Sequence, residues 1–394
     1  MNGRMRRQRQ ARAARAGLNR RQFLGRAGLM AGGIALAPSI LAACGDDGGS
    51  SGDDDGRGGG GSNELAINNW PLYIDRQTVS NFEQDTGISL DYQEGINDNN
   101  ELFAQIQEPL ANGDSIGADI IVPTGWLAGR LINLEYVQKL PLDKIPNKDN
   151  LIPRLQDSSW DPTNEYSLPW QSGIGGIAYN IAETGRELRT FDDLLDPEFE
   201  GRVGMLLEMR DTLGLALMSE GIDITTVTFD EAQPAFDKIE EAANNGQIRR
   251  FTGNNYQNDL VNGNFVANTA WSGDVAQLTL ENENLRFVIP DEGGTLWADT
   301  MVWVSPSDNE DAVAEWMDYV YDPEVAARIA AYVQYLPVVE GTQEVLAQTD
   351  PEAAENPLIF PSDEDFDQLS QFKALDEDEE QQFDERWAEV TGQG

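Results

Sequence analysis

The sequence predicts an α/β body, a sheet covered by helices, built as two domains or one large core. Three observations predict it. The chain has 394 residues with 40% hydrophobic side chains, enough for a sizeable core. From residue 64 onward, short apolar runs alternate with segments of helical spacing in βαβαβ order. Cap and turn residues punctuate these runs where helices should begin and end.

Leu65-Ala66-Ile67-Asn68 reads as a short strand ending at Trp70. Asp75 can cap a helix over residues 76–86, and Gly87 can end it. Ile88–Tyr92 alternates as a strand, and Glu101–Leu110 has helical spacing. Ala118–Val122 is a buried strand stopped by Pro123, with a helix following to Leu134. Val203–Leu207 is strand-like, and Thr228-x-x-Glu231 is a capping box that opens a helix toward Ala243. Phe265–Trp271, Leu285–Ile289 and Met301–Val304 read as strands. From Glu310 the chain is mostly helical through Tyr335, and again near residues 363–390. Gly173-x-Gly175-Gly176 and Gly293-Gly294 suit turns or hinges, and the acidic run Asp376–Glu380 suits a solvated helix start.

Composition narrows the chemistry. There is no histidine and one cysteine, so triads built on imidazole, His/Cys zinc sites and internal disulfides are excluded. No P-loop or dinucleotide motif occurs, so no cofactor and no metal is expected. The formal net charge is −42, which argues against a nucleic-acid partner. That charge is unevenly spread. Residues 1–44 carry nine arginines and no acid; without them, 18 basic side chains face 69 acidic ones, a balance of −51.

The basic start is followed by an apolar run, Ala27–Ala43, which is short of the ~20 residues of a spanning helix. Residues 1–43 therefore read as an export signal. Asn19-Arg20-Arg21-Gln22-Phe23-Leu24 resembles the twin-arginine (Tat) export motif, and Leu41-Ala42-Ala43-Cys44 resembles a bacterial lipobox in which Cys44 is acylated. Residues 45–63 are Gly, Ser, Asp, Asn and one Arg, with no apolar residue, and read as a flexible tether of roughly 25 Å r.m.s. span.

Many aromatics stand at strand ends. Trp70 and Tyr73 follow the first strand, and Trp126 follows the Pro123 stop. Trp271 ends a strand just before Asp274, and Trp297 precedes Asp299. Glu208 and Asp211 follow a strand in the same way. In an open α/β sheet those positions line the ligand crevice. Carboxylates suit ammonium groups, and ring faces suit both cations and methylenes. Diamines and polyamines carry both features. Singly, each residue is more often structural, and Trp160, Trp303, Trp316 and Trp387 read as packing. Aromatics with carboxylates also hold sugars, and a glycoside hydrolase using two carboxylates needs no histidine.

From about Leu65 onward the chain resembles the spermidine/putrescine-binding proteins of bacterial ABC transporters. The resemblance rests on segments that occur in order over about 270 residues. The first are Asn69-Trp70-x-x-Tyr73, Phe82-x-x-x-Thr86-Gly87-Ile88 and Ala118-Asp119-Ile120-Ile121-Val122-Pro123. Next come Asp161-Pro162-x-Asn164-x-Tyr166-Ser167-Leu168-Pro169 and Pro197-Glu198-Phe199-x-Gly201. Then follow Glu208-x-Arg210-Asp211, Trp271-Ser272-Gly273-Asp274, Glu292-Gly293-Gly294-x-x-Trp297-x-Asp299 and Tyr335-x-Pro337.

The resemblance implies a two-lobed, periplasmic-binding-protein-like fold of class II, with a ligand cleft between lobes joined by hinge segments. It implies one lobe from residues 64–172 plus 299–343 and another from 176–295 plus 347–394. Carried over by position, Trp70, Tyr73, Trp126, Trp271, Trp297 and Tyr335 bracket a methylene chain. Glu208, Asp211, Asp274 and Asp299 meet ammonium groups. The expected protein is a monomeric, non-enzymatic polyamine receptor. It would sit outside the cell on a lipid anchor, or in a periplasm, and hand its ligand to a permease driven by a separate ATPase. The chain departs from the family at Pro71, where a hydroxyl residue is usual, at Trp126, where Tyr or Asp is common, and at Gly253, in place of Ser. Four carboxylates also exceed what a diamine needs, which leaves ligand length open. A sensor, or a receptor for another cationic solute or a sugar, remains a rival reading.

Overall fold

The computed structural model describes residues 63–156 and 158–392. The twin arginines, Cys44 and most of the tether lie outside the described residues. What is described is an α/β fold organised on one mixed sheet of ten strands. In chain order its strands are β1 (Glu64–Asn68), β2 (Ser89–Gln93), β3 (Ile120–Ile121), β4 (Ser167–Asn180), β5 (Val203–Leu206), β6 (Ile248–Thr252), β7 (Ala267–Trp271), β8 (Leu285–Val288), β9 (Gly294–Trp303) and β10 (Leu369–Ser370). The path runs β2-β1-β3-β9-β4-β7-β5-β6, with β8 added to β4 and β10 to β9.

Each flank of this path is a three-stranded parallel sheet. On one side β1 (Glu64–Asn68) pairs in parallel with β2 (Ser89–Gln93) and β3 (Ile120–Ile121). On the other, β5 (Val203–Leu206) pairs in parallel with β6 (Ile248–Thr252) and β7 (Ala267–Trp271). Between them run two long antiparallel strands, β4 (Ser167–Asn180) and β9 (Gly294–Trp303). β9 meets β3 at one end, while the far end of β4 meets β7 and β8 (Leu285–Val288).

Side-chain alternation divides the apolar residues between the faces of each flank. Ile120 joins a cluster with Leu65, Phe82 and Trp316, whereas its neighbour Ile121 joins one with Phe103 and Leu127. In the second flank Met205 packs with Leu213, Phe236 and Phe383, whereas Leu206 packs with Tyr256 and Phe265. Helices from the connections cover these faces, as βαβ order requires.

The helix ends follow local chemistry. Asp75 caps α1 (Arg76–Thr86) through the Thr78 amide, and Gly87 closes it at φ 75°. Asp98 caps α2 (Asn99–Ala111), and α3 (Gly125–Asn133) starts after Thr124. Glu208 caps α4 (Met209–Ser219), and the Thr228/Glu231 box opens α5 (Phe229–Asn244). α6 (Ser272–Thr279) follows β7 directly, and α7 (Glu310–Val320) and α8 (Pro323–Val333) lead to Tyr335.

Two sequence expectations are corrected. Gly173, Gly175 and Gly176 are not in a turn; they lie inside β4, which is buried along its whole length. Strands buried on both sides show no polar alternation, and this one is rich in glycine, so its pattern is silent. The run Asp376–Glu380 does start a helix, α9 (Glu377–Thr391), with Asp376 capping it. It is not wholly solvated: the Glu380 side chain is only 12% exposed and holds Arg210.

Candidate functional site: a carboxylate cleft walled by aromatic rings

The site is assembled on the β4–β9 ribbon and at the carboxyl ends of the parallel strands. Thr295, Trp297 and Asp299 alternate along β9, so they share one face. Opposite them on β4 stand Gly175, Gly173 and Gln171. The glycines are required by close approach. A Cβ at Gly173 would overlap the Trp297 indole, and one at Gly175 would overlap the Thr295 hydroxyl. Gly273, at the start of α6, is needed for the same reason, since its Cβ would enter the Tyr335 ring.

Three buried carboxylates are gripped by neutral donors. The Tyr73 hydroxyl donates to Asp299 Oδ2 at 2.9 Å, and the Thr124 hydroxyl donates to Oδ1 at 2.6 Å. Trp271 Nε1 donates to Asp211 Oδ2 at 2.6 Å, and the Thr295 hydroxyl donates to Asp211 Oδ1. Asp274 takes the hydroxyls of Tyr335 and Tyr256 at 2.8 and 2.9 Å. Among the described residues, no ion pair involves Asp211 or Asp299. Asp274 thereby ties two phenol rings together.

The rings form a continuous chain of edge contacts. Trp271 meets Trp297 at 6.4 Å between centroids, and Trp297 meets Tyr335 at 5.5 Å. Tyr335 meets Tyr73 at 5.5 Å, and Tyr73 meets Trp170 at 6.5 Å. Trp271 and Trp297 are half-buried, so both keep surface available to a ligand. Trp70 is fixed by its Nε1 donating to the Val122 carbonyl at 2.8 Å. Two non-glycine residues with positive φ turn the chain next to these rings: Leu72 at 60°, beside Tyr73, and Gln334 at 60°, beside Tyr335. Such backbone costs of order 1–3 kcal/mol and is held only where the surroundings impose it. Here the Leu72 amide is tied to Glu94, and the Gln334 amide to Ala330.

Electrostatics follow from burial. Burial pushes the Asp299 carboxyl up to about 7, against the hydrogen bonds from Thr124 and Tyr73, with Asp211 nearby adding to the rise. Burial also raises Asp211, opposed by Thr295, Trp271 and the Arg210 charge. Burial pushes Glu208 up to about 8, opposed by Arg210 and assisted by Asp211 and Asp98. Buried acids supplied mainly with neutral donors have a deficit of positive charge.

At one end of the site the deficit is filled from within. Arg210, in the first turn of α4, donates through Nη2 to both oxygens of Glu380 at 2.8 and 2.6 Å. Its Nη1 lies 3.9 Å from Glu208. Its guanidinium carbon stands 4.0 Å from the centroid of the Trp126 ring. The Trp126 ring therefore faces a cation of the protein itself. The arrangement as a whole gathers Tyr73, Asp211, Trp271, Asp274, Trp297, Asp299 and Tyr335 in one network. Glu208 and Trp126 join it through Arg210. Sequence reasoning missed Thr124, Thr295, Tyr256 and Glu380, which are common residue types with no local motif.

The chain is similar to known binding proteins. The putrescine-binding periplasmic protein PotF of Escherichia coli is 29% identical over 317 residues, 75% of this chain and 83% of PotF. The spermidine/putrescine-binding periplasmic protein 1 of Haemophilus influenzae is 25% identical over 302 residues, 76% of this chain and 81% of that protein. The substrate-binding protein PotD of a Streptococcus pneumoniae spermidine/putrescine ABC transporter superposes with a TM-score of 0.71 at 25% identity, covering 83% of this chain and 98% of that one. The TpPotD lipoprotein of Treponema pallidum, at 20% identity, shares the fold with a TM-score of 0.72, over 84% of this chain and 99% of its own. These neighbours are two-lobed binding proteins, and the same two-lobed architecture holds here. The family model for bacterial extracellular solute-binding proteins matches residues 77–361, and the chain belongs to that family.

Proposed function

We propose that this protein is an extracytoplasmic polyamine receptor that captures its ligand between two lobes and delivers it to an ABC permease. One observation carries the reading: Asp299 and Asp211 are buried acids held by hydroxyls and an indole, beside a run of aromatic edges. An alkyl diamine answers each feature. Its ammonium groups supply the missing positive charge, each charged hydrogen bond being worth roughly 1.5–3 kcal/mol. Its methylenes lie against ring surface, at ~0.8 kcal/mol per buried CH₂. No bond is broken, so the chain acts by binding and release. The names of its relatives support the ligand class.

Lobe closure brings the two walls together in this reading, with one lobe of residues 64–172 plus 299–343 and the other of 176–295 plus 347–394. The chain crosses between them in β4, in β9 and again between residues 343 and 347, and the first two crossings make a hinge of paired strands. Export by the twin-arginine route and acylation at Cys44 would tether a monomeric receptor to the outer face of the membrane, facing a permease with its own ATPase.

Calorimetric titration of the purified protein with putrescine, spermidine and spermine at about 0.15 M salt tests the proposal. The expected result is saturable one-to-one binding of at least one of them. Weak multi-site heat that vanishes with salt would reduce the effect to surface charge, and competition by a neutral sugar would replace the ligand class.

A further inference from the structure

The Trp126 end of the cleft already holds a cation. Arg210 is 8% exposed, so its guanidinium is committed to the interior. It faces two carboxylates, Glu380 and Glu208, and one aromatic ring. Two carboxylates and an indole face are what a terminal ammonium would seek. The place is continuous with the proposed ligand site on both sides. Asp211 follows Arg210 in α4, and Thr124, which grips Asp299, stands two residues before Trp126.

We infer that Arg210 is a specificity-determining residue: its guanidinium fills the Trp126–Glu208–Glu380 end of the cleft and leaves Asp211 and Asp299 to a short ligand with two positive charges. The inference rests on the polyamine reading and names the ligand within that class. A third ammonium extended toward Trp126 would meet a like charge in a poorly hydrated place, where repulsion is least screened. A linear diamine ends before that point. The chain thus uses an internal cation to select ligand length, where a change in cleft depth would serve the same end.

The test is a comparison of putrescine and spermidine on the wild-type protein and on the double variant Arg210→Met/Glu380→Gln, by calorimetry at fixed salt. Both charges of the closest pair are removed together, and Glu208 is left as the one acid of that pair of carboxylates without its cation, open to a third ammonium. Wild-type protein is expected to bind putrescine about tenfold or more tighter than spermidine, and the double variant to narrow or invert that ratio by about tenfold. A series of linear diamines of increasing length on the wild-type protein needs no variant, and its affinity should peak at short lengths and fall beyond. Equal or tighter binding of spermidine by the wild-type protein, or a ratio unmoved in a double variant that still melts cooperatively, would overturn the inference and leave the polyamine reading intact. Absence of saturable binding of every amine would remove both.

Discussion

Asp299 and Glu380 are both acids held inside the protein, and they are satisfied in opposite ways. Asp299 receives two neutral hydroxyls, from Tyr73 and Thr124. Glu380 receives a guanidinium, from Arg210, at 2.6 Å. Hydroxyls fill lone pairs without supplying charge, so Asp299 is left with its carboxyl pushed up to about 7. The difference teaches where the protein needs something from outside. Arg210 supplies a cation at Glu380, whereas among the described residues no ion pair reaches Asp299.

The largest expected effect breaks the comparison at its open end. Asp299→Ala should weaken putrescine binding by about tenfold to 150-fold, the factor that corresponds to a charged hydrogen bond of roughly 1.5–3 kcal/mol. Titration calorimetry reads it, and unchanged affinity would remove Asp299 from the site. Glu208→Gln probes the other end. Because Arg210 already faces Glu208, that change should alter putrescine affinity by less than about threefold, under about 1 kcal/mol. A loss as large as that of Asp299→Ala would make the two ends equivalent.

A second prediction uses the proton. If a cationic ligand draws Asp299 into its ionised form, binding near neutral pH releases a proton. Affinity should then rise between pH 6 and 8, by at most about tenfold per pH unit for one group. The heat of binding should depend on the ionisation enthalpy of the buffer. Asp299→Asn should diminish both effects, with the remainder coming from Asp211, which burial also raises. The ligand-free protein has the converse dependence. A folded pKa above the unfolded value means the native state holds its proton more tightly. That stability is fully present below the unfolded pKa, near 4, and is lost as pH rises through about 7. The melting temperature without ligand should therefore fall from pH 5 to pH 8, and the asparagine variant should flatten that part of the slope.

Packing gives a smaller effect. Gly173→Ala drives a Cβ into the Trp297 indole and should cost ~1–3 kcal/mol of stability, with weaker binding as Trp297 moves. Chemical denaturation and titration together check it. The smallest change is expected at Leu72. Its φ of 60° suits glycine, so Leu72→Gly should shift stability by less than about 1 kcal/mol in either direction. A large loss would mean that the leucine side chain, not the turn, orients Tyr73.

Much of this was legible in the sequence. Caps at Asp75 and Thr228 and the stop at Gly87 are local chemistry and can be read directly. The flanking parallel strands show as short apolar runs. β4 does not, because its three interior glycines read as turns until the indole and hydroxyl above them are seen. In the site, the aromatics and carboxylates were visible from their positions after strands. Their hydroxyl partners were not, since nothing local distinguishes Thr124 or Thr295 from any other threonine. The Arg210–Glu380 pair joins residues 170 apart, so only the folded chain brings it into view. Composition pointed to an acidic cleft that needs cations, while tertiary structure locates the end where the need is already met.

The central claim is that this cleft completes its charge balance with a ligand's ammonium groups at Asp211 and Asp299. The most direct measurement is calorimetric titration of putrescine into the wild-type protein and Asp299→Asn at pH 7 and about 0.15 M salt, each in two buffers of different ionisation enthalpy. The account predicts one-to-one binding with buffer-dependent heat in the wild type, and weaker binding with a smaller buffer dependence in the variant. Equal affinity and equal buffer dependence in both proteins would contradict it.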